Sequence, residues 1–184
     1  MLQYASPTME NEATIIEKAK SGDKEAFGIL YKYYFPRIYR YCKANIYKDD
    51  LAADICQETF LKAWKSLSKF TLKDGGTIQA YFFRIARNLL IDLSRKKKEF
   101  SLAFYEDIVG DEDVNQNIDR EDEIKKMKQV LAKLPEKERQ ILILRYFEDM
   151  SHKETAKIVG IREGALRVRT TRLLKKLKEI MQNE

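Results

Sequence analysis

Glycine and proline are scarce, seven and three in 184 residues, which disfavours a turn-rich β-sandwich or barrel. Cysteine is scarcer still: Cys42 and Cys56 are too few for a disulfide scaffold, and with the single histidine, His152, they cannot complete a four-ligand zinc site. Neither a metal nor a cofactor is expected. No apolar run approaches the roughly 18 to 20 residues that span a bilayer, and residues 1–10 lack the charged and apolar halves of a signal peptide, so a cytoplasmic chain with reduced thiols and no membrane insertion is expected. What remains is 44% apolar and 11% aromatic, enough to bury cores, in a length that allows one domain or two small ones. The expectation is an all-α protein.

The formal net charge of +6 hides an asymmetry, because residues 99–124 hold ten acids against the single base Arg120, leaving +15 on the rest. Apolar residues in that stretch fit neither a helical nor a strand period, and Gly110, Asn115 and Asn117 interrupt it. Residues 99–122 therefore read as an acidic linker between two small helical domains, 1–98 and 123–184.

Within the first domain a short amphipathic helix over 11–20 ends at Ser21-Gly22, and Asp23 is placed to cap a helix carrying Phe27, Leu30, Tyr31, Tyr34 and Ile38. Pro36 is expected to bend or offset it. A third helix, 51–67, has one apolar stripe (Ala52, Ile55, Cys56, Phe60, Ala63, Trp64, Leu67), with Asp54, Gln57, Glu58, Leu61 and Lys65 on the remaining surface. After a Gly75-Gly76 loop, a helix over 78–98 is expected to bury Phe82, Ile85, Ala86, Leu89 and Leu93. Arg84, Arg87, Asn88, Ile91 and Arg95 fall opposite, flanked by Tyr81 and Phe83. Cations interleaved with rings suit single-stranded nucleic acid, although aromatic residues on a helix are more often core.

Past the linker, 123–134 reads as helical, and Pro135 opens a helix holding Ile141, Leu142, Leu144 and Phe147. Ser151 and Glu154 match a capping box. Ala156, Gly160 and Gly164-Ala165 then have the offsets of a helix-turn-helix. With Leu166, Thr170, Leu173 and Leu177 inward, Arg167, Val168 and Thr171 point outward, with Arg169 and Arg172 on the flanks. Seven bases against one acid between residues 162 and 178 suit a DNA major groove.

These segments together resemble a bacterial RNA polymerase sigma factor of the small, two-domain extracytoplasmic-function type in the sigma-70 family. The run from Asp50 through Asp54, Gln57, Glu58 and Phe60 to Trp64 is similar to the family's second conserved-region helix. The run from Tyr81 to Asp92 resembles its promoter-opening helix, and the chain from Leu134 onward its C-terminal promoter-binding domain. Tyr81 stands where the family usually has Trp, Thr170 where it has a large apolar residue, and Leu174 where it has a base.

The resemblance implies that Asp54, Gln57 and Glu58 dock on the clamp helices of the polymerase largest subunit. It implies that Tyr81, Phe83, Arg84, Arg87, Asn88 and Arg95 bind the melting minus-10 element, and that Arg162, Arg167, Val168, Arg169, Thr171 and Arg172 read the minus-35 duplex. It also implies an anti-sigma factor among the family's partners, and a linker that threads toward the polymerase channel. No acid, histidine or cysteine pairing reads as a catalytic centre, so an enzyme is not expected. The alternative is a stand-alone helix-turn-helix regulator with no polymerase role.

Overall fold

The computed structural model describes residues 11–46, 48–71, 77–100, 131 and 134–182, with side chains up to Arg95 in the third segment. Seven α-helices lie among the described residues, which contain no strand. They are α1 (Glu12–Lys20), α2 (Lys24–Asn45), α3 (Asp49–Ser66), α4 (Ile78–Phe100), α5 (Glu136–Leu142), α6 (His152–Val159) and α7 (Glu163–Gln182). The expected all-α class holds. Glu99 and Phe100 end α4; the rest of the expected linker, 101–122, lies outside the described residues, as does most of the helix expected over 123–134.

Local chemistry explains where the helices start. The Asp23 carboxylate accepts from the backbone N–H groups of Glu25 (2.9 Å) and Ala26 (3.1 Å), satisfying donors that the first turn leaves without an intrahelical partner. α2 then runs through Pro36 without interruption. An interior proline costs about 3 kcal/mol, and the buried residues on both sides of it, Leu30 and Tyr34 before and Ile38, Tyr41 and Cys42 after, outweigh that cost. Asp49 and Asp50 complement the positive end of α3, whose buried stripe includes Ala52, Cys56, Phe60 and Ala63 as the sequence predicts.

The helices form two bodies that share a seam. One core gathers the inward faces of α1 to α4, and Ile143, Leu144, Met150 and Ile158 from the C-terminal helices join it. A second, smaller core holds Leu131, Leu134, Ile141, Leu142, Ala156, Leu166 and Leu173. The C-terminal body therefore buries one face within itself and another against α2 and α4. The helix opened by Pro135 does not continue regularly: it widens into a π-helical turn over Ile143–Phe147. That turn sends Ile143 and Leu144 into the seam but leaves Phe147 half-exposed, contrary to its grouping with the apolar residues of the helix.

Cys42 and Cys56 are both free and fully buried, and burial pushes their thiols up, Cys56 to about 12. The thiolate is the reactive form, so burial makes both inert in the native state. A thiol-specific disulfide reagent at pH 8 is expected to titrate neither cysteine in native buffer and both in denaturant. Because the folded-state values exceed the unfolded ones, this contribution to stability is complete below about pH 8.5 and is lost as pH rises above it.

Candidate nucleic-acid interface

The helix-turn-helix is built from α6 and α7. At the start of α6 the Ser151 hydroxyl accepts from the Glu154 N–H (3.1 Å) and the Glu154 carboxylate accepts from the Ser151 N–H (2.9 Å), the expected capping box. At its end Gly160 takes φ 74°, a left-handed conformation that side chains oppose. The N–H groups of Gly160 and Ile161 both donate to the Ala156 carbonyl, at 2.9 and 3.0 Å, closing the turn.

Leu166, Thr170 and Leu173 of α7 are buried, as the wheel requires, and the Thr170 hydroxyl donates to the Leu166 carbonyl at 2.9 Å. That bond removes the cost of burying a hydroxyl at a position where a large apolar side chain is usual. Arg162, Arg167, Val168, Arg169, Thr171 and Arg172 are all exposed, spread over the broad solvent side of α7 and the residue before it. Arg167 is held by Glu163 at 2.6 Å. An exposed i,i+4 pair of this kind contributes only about 0.3–0.5 kcal/mol, whereas a bidentate arginine–guanine contact is worth about 1–3 kcal/mol. The Glu163 pair therefore holds Arg167 only weakly.

The α4 face differs from its wheel. Phe83 was expected to flank the basic strip, but it is fully buried, edge-on to Tyr41 at 5.2 Å and with the Arg37 guanidinium 5.8 Å from its ring centroid. The buried positions are Ile78, Ala80, Phe82, Phe83, Ala86 and Leu90, while Ile85, Leu89 and Leu93 are only partly covered. The wheel assumed one buried side; α4 packs against α2 and α3 on one side and α6 on another, so its buried arc rotates toward Phe83.

Arg84, Asn88 and Arg95 are exposed, and Arg84 donates to the Lys157 carbonyl of α6 at 3.1 Å. Arg87 is half-buried; burial lowers its pKa, with Tyr41 and Glu136 opposing that shift. The Tyr81 hydroxyl donates to the Ala63 carbonyl (3.1 Å) and lies 2.7 Å from Ser66 Oγ, while its ring centroid is 4.7 Å from that of Phe70. Burial raises the Tyr81 pKa, and the Ser66 bond works against the rise.

On α3, Asp54 and Gln57 are exposed, and Glu58 lies 3.6 Å from Lys62 in an i,i+4 pair. Beside them Phe27, Tyr31, Gln57, Phe60, Leu61 and Trp64 line a groove of about 330 Å³. Sequence reasoning missed the polar contact between the two bodies. The Glu148 carboxylate, fully buried, accepts from Arg40 Nε (2.9 Å) and Nη2 (3.0 Å) and lies 3.5 Å from Arg37 Nε. The available signal was two arginines three residues apart in the aromatic-rich middle of α2; nothing local marked Glu148 as their partner.

Comparison with known proteins accounts for both bodies. The family described as Sigma-70 region 2 matches residues 30–100, and Sigma-70, region 4 matches residues 124–177. The ECF RNA polymerase sigma factor SigW of Bacillus subtilis (strain 168) is 30% identical over 172 residues, 85% of this chain and 89% of that protein. This chain belongs to the ECF RNA polymerase sigma factors. SigD of Mycobacterium tuberculosis (strain ATCC 25618 / H37Rv) is also 30% identical, over 184 residues, 95% of this chain and 86% of that protein.

CnrH, solved in complex with the cytosolic domain of CnrY, shares the fold at a TM-score of 0.72 and 24% identity, covering 94% of this chain and 98% of that one. The sigma factor RpoE of Bartonella quintana, solved with the anti-sigma factor NepR, aligns at a TM-score of 0.65 and 25% identity over 85% of this chain and 96% of that one. As an ECF sigma factor the protein is a transcription initiation factor that acts with RNA polymerase at promoters. The stand-alone regulator reading finds no support, since the match includes region 2 as well as the helix-turn-helix.

The burial of Phe83 gives a direct check. Phe83→Ala should lower stability by about 3–5 kcal/mol in chemical denaturation, as expected for a truncated core phenylalanine. Asn88→Ala, on the exposed side of the same helix, should change it by no more than about 0.5 kcal/mol.

Proposed function

We propose that this sigma factor divides promoter recognition between α7 and α4 and docks on the polymerase through α3. The observation that carries this reading is the solvent side of α7 and the residue before it, where Arg162, Arg167, Arg169 and Arg172 are exposed with Val168 and Thr171 while Leu166, Thr170 and Leu173 anchor the helix from behind. Nothing in folding requires four exposed guanidinium groups within eleven residues, and a duplex groove lined by phosphate uses them. In this reading Arg167 contacts a base edge of the minus-35 element, Val168 and Thr171 offer methyl groups to thymine, and Arg162, Arg169 and Arg172 set position through phosphates.

Tyr81, Arg84, Arg87, Asn88 and Arg95 of α4 take the minus-10 element as its strands part. Tyr81 is a ring fixed at its hydroxyl end and backed by Phe70, a ready platform for an unstacked base, and such stacking is worth about 1–3 kcal/mol. Phe83 has no part in this surface. Asp54, Gln57 and Glu58 contact the clamp helices of the polymerase largest subunit.

The functional units are then residues 1–98 and 123–184, joined by the acidic segment 99–122. The protein works in the cytoplasm and performs no bond chemistry of its own, the phosphodiester step belonging to the polymerase. Among the described residues no helix is long and apolar enough to cross a membrane. An anti-sigma factor is a further partner, as for the RpoE that was solved with NepR.

Polymerase core plus this chain is expected to start RNA at defined sites on a genomic promoter library; no specific start would remove the reading. Charge reversal at Asp54 and Glu58 should abolish co-elution with the core in size-exclusion chromatography. Arg167→Ala should cost about 1–3 kcal/mol at one promoter position, and Lys175→Ala should weaken all sequences alike, as measured by binding to a promoter with each base pair substituted in turn.

A further inference from the structure

Four arginines line the seam between the two bodies. Arg37 and Arg40 of α2 and Arg84 and Arg87 of α4 all face the C-terminal body, which meets them with Glu148, Glu136 and backbone carbonyls. Arg40 grips the Glu148 carboxylate with two nitrogens, at 2.9 and 3.0 Å, and Arg37 donates to the Glu148 carbonyl at 3.1 Å and to Gln79 Oε1 of α4 at 3.0 Å. The α2 pair is thus continuous with the start of the promoter helix. A carboxylate and a phosphate present the same two-oxygen edge to a guanidinium fork.

The turn that delivers Glu148 is itself unusual. Asp149 takes φ 50°, a left-handed conformation that turns the chain between Glu148 and the fully buried Met150. Beside the seam, Tyr41 Oη and Arg87 Nε are buried without a hydrogen bond.

We propose that Arg37 and Arg40 are phosphate contacts of the promoter complex, and that Glu148 is the internal anion that occupies them while the chain is unbound. The C-terminal body then lies over part of the α4 face until nucleic acid displaces the Glu148 carboxylate. This rests on the reading of α4 as a nucleic-acid surface and adds α2 to it.

The test uses the full chain and a fluorescein-labelled single-stranded 30-mer of mixed sequence, with affinity read by anisotropy. Fluorophores at Lys65→Cys and Gln182→Cys, both exposed positions outside the proposed contacts, report the separation of the two bodies. Glu148→Gln removes the charge at constant shape. It should lower energy transfer between the labels and tighten oligonucleotide binding about tenfold, because breaking a buried ion pair favours the open arrangement. Adding Arg37→Gln and Arg40→Gln should leave transfer low but abolish the gain, and should reduce the slope of log affinity against log salt by about 1.4, the value for two phosphates on a single strand.

Unchanged transfer in Glu148→Gln, or a gain that survives loss of both arginines, overturns the proposal. Arg95→Gln in the Glu148→Gln background separates the two readings. If it has no effect on binding, the α4 reading fails; if it weakens binding while the α2 substitutions do not, only the present proposal fails. Should Glu148→Gln lose helicity, saturating oligonucleotide added to the labelled but otherwise native chain must still lower transfer, and constant transfer refutes the idea.

Discussion

A carboxylate removed from water requires counter-charges within hydrogen-bond reach, and in this protein Glu148 finds them on a different body from its own. Its burial is tolerable only because the Arg40 fork and Arg37 converge on it. That requirement fixes how the C-terminal helices sit on α2 and α4. With Glu148 seated, Ile143, Leu144, Met150 and Ile158 reach the N-terminal core, and Arg84 meets the Lys157 carbonyl. The partial burial of Arg87 beside Tyr41 and Glu136 follows from the same seating.

The two recognition surfaces stand in different relations to this seam. α7 keeps its cationic face free because its own small core, Leu166 and Leu173 against Ala156, Ile141 and Leu142, anchors it from behind. α4 is shared: one arc carries the N-terminal core, a second meets α6, and a third remains in solvent with Asn88 and Arg95. With α4 as an intramolecular contact, the promoter contact proposed for it is open in only one arrangement of the bodies, which makes their separation a natural point of control.

Local signals were legible and long-range ones were not. The Asp23 cap, the Ser151–Glu154 box, the Gly160 turn and the inward set of α7 depend on residues within one or two turns of each other, and the structure reproduces each. The helical wheel failed at Phe83, because a wheel infers one apolar side and α4 has two packing neighbours that no local pattern announces. The π-helical turn at Ile143–Phe147 was equally silent, since its extra residue per turn is set by where Ile143 and Leu144 must insert in the other body. Glu148 and its arginines are separated by more than a hundred residues, with an acidic segment between them rich in alternative partners. Charge counting alone could not choose Glu148 over any acid of that segment.

The energetics of the seam decide whether such a contact can be reversible. Each apolar side chain it buries contributes about 1.5–3 kcal/mol, and each polar atom left there without a hydrogen bond costs about 1–3 kcal/mol. Two such atoms, Tyr41 Oη and Arg87 Nε, lie beside the seam, so it gains somewhat less than its apolar area suggests. The ion pair adds little net stability, because desolvation of Glu148 offsets much of its attraction to the arginines. What the pair supplies is selectivity: a ligand that opens the seam has to replace a carboxylate with another anion, and a polyanion such as DNA does so while releasing its own counterions. Neutral apolar partners lack that driving force, and the guanidinium groups of α2 and α4 would oppose cationic ones. An interface lined by arginines therefore favours a polyanionic partner over a neutral or cationic one.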